Sequence, residues 1–305
     1  MGKASRTKVE ASRREKIAAQ RAAARRAEQR RRILIASGSI IVVVAIVLVF
    51  VVVKLTSNST PSAPSANGPT GAALTQVVDK VTSVPASTLD AVGDGGAPWQ
   101  SLGSGVIKPV TGSPLTENGK PEMLFIGAEY CPYCGAQRWA MIVALSRFGT
   151  FSGLSTVHSS STDAYPNTPT WTFIHAKYSS PYLTFTPVET TTNVPSNAAD
   201  AINGYAPLQL PTAAQEALES KYSSGTIPFI DFGNKYVSIG SSYLPSVLAG
   251  LSWSQIATDL SNPNSSVAKA GDGTANYITA AICKMTGNQP ASACTATVKS
   301  LESQL

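Results

Sequence analysis

The sequence predicts a mixed α/β domain held behind a basic arm and one membrane span. Three observations lead there. Residues 1–32 carry twelve Lys and Arg against three Glu. Residues 33–53 carry no ionisable side chain. Farther along, "EMLFIGAEYCPYCGAQRWAMIVALSRFG", Glu122 to Gly149, runs from an apolar stretch through two closely spaced cysteines into a helical pattern.

The arm comes first. Its net charge is +9 while the whole 305-residue chain is +6, so residues 33–305 sum to −3. The basic character therefore belongs to the arm and not to the domain. Ala, Arg, Gln and Glu favour a helix there, and no Pro interrupts it. No aromatic or recognition motif accompanies the charge, so nucleic acid is not an expected partner. The run Ile33 to Val53 has 21 residues, and at 1.5 Å each it spans roughly 31 Å, a bilayer core. Lys54 closes it. The rival, a cleaved signal peptide, has a shorter apolar core and a small-residue cleavage site. The positive-inside rule then places 1–32 in the cytoplasm and the remainder outside, in a single-pass cell-membrane protein with the lipid bilayer as partner. Residues 54–71, with "TSNSTPSAPSANGPTG", read as a flexible linker.

The folded domain is expected at 72–305. "LTQVVDKVTSV", Leu74 to Val84, suits a short amphipathic helix that Pro85 ends. Met123 to Ile126 suits a buried strand. Pro132 fits a first helical turn, and Ala136, Trp139, Ala140, Val143 and Ala144 recur at helical spacing. Around 196–222, "NAADAINGY" and "TAAQEALESKYSSG" read as two short helices forming an insertion. Residues 229–232 and 236–239 read as strands joined by a turn at Gly233-Asn234. Residues 246–260 and 275–285 read as further helices.

The cysteines carry the chemistry. Four are present, Cys131, Cys134, Cys283 and Cys294. Outside the membrane disulfides persist, and four cysteines allow three pairings. Cys131 at a helix start has unspent backbone N–H groups to stabilise its thiolate, the nucleophile of disulfide exchange. Cys134, three residues on, can resolve the mixed disulfide. A static bridge and a zinc site are the alternatives. Zinc needs two further ligands, and Cys283 and Cys294, eleven apart, lack the paired spacing, so no metal is expected. Cys283 and Cys294 are expected to form a structural disulfide around "CKMTGNQPASAC". Ile227 and Pro228 in "GTIPFIDFGNKY" are the candidate substrate-binding pair: a cis bond there would lay the Ile227 backbone beside the dithiol. His158 and His175 are expected to be structural, and no G-x-S-x-G suggests a serine hydrolase.

"GAEYCPYCGAQRWAMIVALSRFG", "TPTWTFIHAKYSSPYLTF" and "AAICKMTGNQPASAC" together resemble a thioredoxin-like family known as domain of unknown function 929, over about residues 74–305. The resemblance implies a thioredoxin fold with a helical insertion and a membrane-tethered extracytoplasmic redox role. It makes Cys131 the attacking cysteine, Cys134 the resolving one and Pro228 the cis-proline. One departure stands out. Many thioredoxins carry a buried acid six residues before the first cysteine, and here that position is Phe125.

The expected function is a thiol–disulfide oxidoreductase acting on exported protein thiols or a membrane redox partner, with no cofactor. The alternative is a tethered, non-catalytic thioredoxin-like binding or scaffold module. Nothing in the sequence fixes an oligomeric state.

Overall fold

A computed structural model describes residues 68–96 and 105–305. The basic arm, the expected span at 33–53 and most of the linker lie outside the described residues. Among the described residues no helix is long and apolar enough to cross a membrane. The longest, Ser266–Met285, has 20 residues but carries Lys269, Asp272 and Lys284. On that finding the expected single transmembrane helix, the lipid-bilayer partner and the single-pass cell-membrane location with an extracytoplasmic domain are corrected to a mixed α/β domain with no membrane-crossing helix among the described residues.

The described chain opens with two helices, α1 (Gly71–Thr82) and α2 (Ala86–Val92), separated at Pro85. Three strands follow, β1 (Ile107–Pro109), β2 (Thr116–Glu117) and β3 (Lys120–Gly127). Helix α3 (Pro132–Leu145) comes next. Two short antiparallel pairs are β4 (Thr150–Ser152) with β7 (Lys177–Ser179), and β5 (Ser155–His158) with β6 (Pro169–Thr172). Then come β8 (Thr184–Glu189), a hairpin of β9 (Thr191–Pro195) and β10 (Tyr205–Pro207), and α4 (Ala213–Ser223). The chain finishes with β11 (Phe229–Phe232), β12 (Tyr236–Ile239), a 3₁₀ turn at Pro245–Leu248, α5 (Trp253–Asp259), α6 (Ser266–Met285) and α7 (Ala296–Glu302).

The main sheet is built around β3. Strand β8 lies parallel to it, in register from Glu122↔Thr184 to Gly127↔Glu189. On the other side β11 is antiparallel, from Phe229↔Ile126 to Phe232↔Met123. Strand β12 returns against β11, and β1 adds beyond β12. The return is made at Gly233-Asn234, both with positive φ (66° and 55°), the conformation that a two-residue hairpin turn requires.

Side-chain alternation along β3 divides the core. Met123 and Phe125 join the cluster that contains α3 and α6. Leu124 and Ile126 join a second cluster with Val188, Phe229 and Val237, against which Leu218 and Tyr222 of α4 pack. A strand buried on both faces needs the unbroken apolar run seen at 123–126. Each fully buried side chain of this size contributes about 1.5–3 kcal/mol. Helix α3 is covered all round, with only Tyr133 less than buried, which suits its lack of a polar face.

Three sequence expectations differ from the fold. Residues 246–260 are not one helix but a 3₁₀ turn at Pro245–Leu248 and then α5, which the Ser252 side chain caps by accepting from Gln255 N. Residues 196–212 are not helical. Asn203 (φ 52°) and Gly204 (φ 82°) make a tight turn that leads into β10, so the Ala-rich stretch before them is drawn into a hairpin. Helix α6 begins at Ser266, well before 275. The Ser265 side chain accepts from the Ala268 N–H and starts the helix, which then carries through Gly271 and Gly273.

Candidate functional site

The chain leaves β3 at Gly127 and crosses Ala128, Glu129 and Tyr130 before α3 begins. Cys131 is the N-cap of α3, with extended backbone (φ −75°, ψ 117°) and Pro132 at the first helical position. Its Sγ accepts the backbone N–H of Cys134 at 3.2 Å. Sulfur thus occupies the place that a Ser or Asp oxygen takes in an ordinary N-cap. A hydrogen bond from the Cys134 side chain pulls the Cys131 thiol below its usual range; burial opposes this, and the Cys134 backbone N–H adds to the lowering. Burial pushes the Cys134 thiol well up, and the hydrogen bond to Cys131 adds to that.

Both thiols are unbonded. Cys131 is 6% exposed and Cys134 fully buried. The disulfide of the described residues joins Cys283 to Cys294, with S–S 1.98 Å and Cα–Cα 5.9 Å. The expected membrane-anchored enzyme, using a Cys-Pro-Tyr-Cys dithiol on exported proteins or a membrane redox partner, is therefore corrected in its anchoring and in the arrangement of its cysteines. No described helix anchors the domain, and the two thiols stand as unbonded, buried groups.

The Ile227-Pro228 peptide is cis. Since Phe229 pairs with Ile126, this bond lies at the end of β3 from which the chain turns toward Cys131. Ile227 is half-buried, and the buried Pro228 accepts from Gly240 N through its carbonyl at 2.8 Å. His158 packs against the Trp253 ring at 4.5 Å, and burial lowers its pKa. His175 is exposed. Phe173, Tyr178 and Phe185 pack on Phe151 as one aromatic cluster.

The largest feature missed from sequence is a buried ion pair beneath the dithiol. Arg138 and Glu189 are both inaccessible to solvent. Arg138 Nε donates to Glu189 Oε1 at 2.9 Å, and Nη2 donates to Oε2 at 2.5 Å. Nη2 also donates to the Ala128 carbonyl at 2.7 Å. The guanidinium carbon sits 5.6 Å from the centre of the Phe125 ring, so the cation also covers an aromatic face of β3. Burial works most strongly against the Arg138 charge, but the Glu189 carboxylate and its hydrogen bonds, together with the two cysteine sulfurs, raise the pKa on balance. Glu129, which also feels Arg138, has its carboxyl pushed up by burial. The available signal was a lone cation on an otherwise apolar helix, one turn past Cys134.

Tyr130, next to Cys131, was missed too. Its ring lies parallel on Tyr205 of the hairpin, with centroids 4.2 Å apart. Asn203 Nδ2 donates to its hydroxyl at 3.3 Å, and the Tyr205 hydroxyl bonds Ser160 at 2.7 Å. Burial pushes the Tyr130 phenol up to about 12. The hairpin therefore braces the loop before the helix.

No curated protein and no solved structure matches the chain. The family described as "Domain of unknown function (DUF929)" matches residues 107–284, from β1 almost to the end of α6. That match covers more than half of the chain, and the protein belongs to this family.

Proposed function

We propose that the domain is a thioredoxin-like thiol–disulfide oxidoreductase working through Cys131 and Cys134. The order β8-β3-β11-β12, with α3 leading out of β3, supports the fold assignment. The observation that carries the chemistry is the sulfur of Cys131 capping α3 and taking the Cys134 N–H. A thiolate there is favoured by the helix start and by its neighbour, while Cys134 keeps its proton.

The exchange follows from that asymmetry. The Cys131 thiolate attacks one sulfur of a substrate disulfide. A Cys131–substrate S–S bond forms, the substrate S–S bond breaks, and the second substrate sulfur leaves as a thiolate that takes a proton from water. Cys134 then gives up its proton and attacks Cys131 Sγ. The Cys131–Cys134 bond forms and the first substrate sulfur leaves with that proton. Two electrons pass from the dithiol to the substrate, and the reverse sequence oxidises a substrate dithiol. Ile227 and Pro228, at the same end of the sheet, are the proposed main-chain rest for an extended substrate segment.

The test is reduction of insulin disulfides by the full chain with dithiothreitol as electron donor. Acceleration that vanishes in Cys131→Ser is the expected result. Equal rates for wild type, variant and dithiothreitol alone would overturn the proposal.

A further inference from the structure

Resolution of the mixed disulfide needs a thiolate on Cys134, the most buried sulfur of the site. Burial opposes that charge. Something fixed and positive close by would offset it, and the fold supplies one such group.

Cys131, Cys134 and Arg138 are spaced three and four residues apart, so they line one face of α3 over two turns. Arg138 is fully buried, so water does little to weaken its field. The sheet register fixes its position. Glu189 ends β8 opposite Gly127, just where the chain leaves β3 for the cysteine loop. Its carboxylate holds Arg138 by two hydrogen bonds, and Phe173 N adds one to the same carboxylate at 3.3 Å. Ala128 touches both partners: its carbonyl accepts from Arg138, and its backbone N–H acts on the Cys134 sulfur. One guanidinium nitrogen, Nη1, is buried without a hydrogen-bond partner. That donor is unspent.

We propose that Arg138, clamped by Glu189, is a positioning residue of the dithiol: its fixed charge, one turn behind Cys134, stabilises the thiolate that must form there before the mixed disulfide resolves. The electron and proton balance is that of the resolving step. The Cys134 S–H bond breaks, the Cys131–Cys134 bond forms, the Cys131–substrate bond breaks, and the proton leaves on the substrate thiol. Arg138 gains and loses no proton. It takes by charge the part that an acid at Phe125 would take by accepting a proton, and Phe125 instead lies against the guanidinium. The inference rests on the oxidoreductase reading for its consequence but not for its test.

The ionisable groups around the site are Cys131, Glu129, Tyr130 and Glu189, and a pH titration must separate them from Cys134. A Cys131→Ser background isolates Cys134, since Cys283 and Cys294 are bonded to each other. Thiolate formation is then followed by the carbon-13 NMR shift of the Cys134 Cβ across pH, which needs no turnover and does not register tyrosine ionisation. Arg138→Met combined with Glu189→Leu removes both charges and leaves neither ion unpaired. The Cys134 titration should move up by about one pH unit, a tenfold loss of thiolate below that pKa. Glu189→Gln alone leaves Arg138 uncompensated, and the titration should move down. Arg138→Lys keeps the charge and should stay near wild type. Opposite shifts from the double variant and from Glu189→Gln cannot come from a general loss of packing. If the double variant does not fold, the Glu189→Gln shift decides alone. Titrations that coincide in all the folded variants, or a rise in Glu189→Gln, would overturn the inference. Opposite shifts in a protein that does not reduce insulin would uphold the electrostatic role and sink the oxidoreductase reading instead.

Discussion

Two pairs of cysteines sit at opposite ends of two buried helices. Cys131 caps the start of α3, where backbone N–H groups are unspent and the Cys134 N–H reaches its sulfur at 3.2 Å. Cys283 lies in the last turn of α6, where carbonyls are the unspent groups and its own accepts from Asn288 N at 2.7 Å. A helix start favours a thiolate and a helix end disfavours one. The first pair is therefore held as two unlike thiols, and the second is bonded to Cys294, which closes the loop after α6. Helix polarity puts the same residue type in two different electrostatic settings within one core.

The sharpest way to break this contrast is to exchange the sulfurs. Cys131→Ser should abolish disulfide exchange altogether. It should leave stability almost unchanged, because Ser is itself a good N-cap. Insulin reduction and a urea melt on the same preparation check both halves. A strong loss of stability would make Cys131 a structural residue. The converse variant, Cys283→Ser with Cys294→Ser, should lower stability by about 3 kcal/mol, the chain entropy of a loop closed across this separation. It should leave exchange at the wild-type rate. Loss of exchange there would mean that the two pairs communicate.

Much of the first region was legible in the sequence. An apolar run, a Pro behind a Cys and a helical period are local signals, and they set β3, α3 and the cap in place. The β11–β12 hairpin was legible for the same reason, through Gly233-Asn234. The ion pair was not, because Arg138 and Glu189 are 51 residues apart and meet only through the parallel register of β3 and β8. The β9–β10 hairpin was misread because composition favoured a helix, and the stronger signal, Asn203-Gly204, is two residues long. The apolar run at 33–53 led to a span, yet it lies outside the described residues, and no described helix can take that role.

The two regions also differ in how they hold a buried carboxyl. Glu189 is paired with Arg138, whereas both carboxyl oxygens of Asp272 in α6 lack hydrogen-bond partners. Burial pushes Asp272 up to about 8. Between the ordinary carboxylate range and that value the folded protein holds a proton that the unfolded chain has lost. Stability should therefore be greatest below this window and fall as pH rises through it. Asp272→Asn removes the titration. It should flatten the pH dependence and raise stability near neutral pH by on the order of 2 kcal/mol. Denaturant melts at several pH values check the slope. An Asn variant that keeps the wild-type slope would assign it to another group, with Asp231, raised by burial to about 6, the next to test.

The smallest expected effect tests how the hairpin reaches the dithiol. Gly204 has φ 82°, a conformation that costs a residue with Cβ energy, and there is open space around it, so Gly204→Ala strains the backbone without a clash. A loss of about 1 kcal/mol is expected. The strain falls beside Asn203 and Tyr205, the two residues that hold Tyr130 from the far side. Tyr130 in turn precedes the capping sulfur and is tied to Ser160 through its carbonyl at 2.8 Å. If the hairpin braces the cap, loosening the turn should make Cys131 more reactive toward an alkylating reagent, by more than the change in global stability accounts for. Hydrogen exchange at the Cys134 amide, which donates to Cys131 Sγ, should quicken in the same variant. If both rates stay at wild-type values while stability falls, the hairpin contributes only to folding, and the cap is held by α3 and the sheet alone.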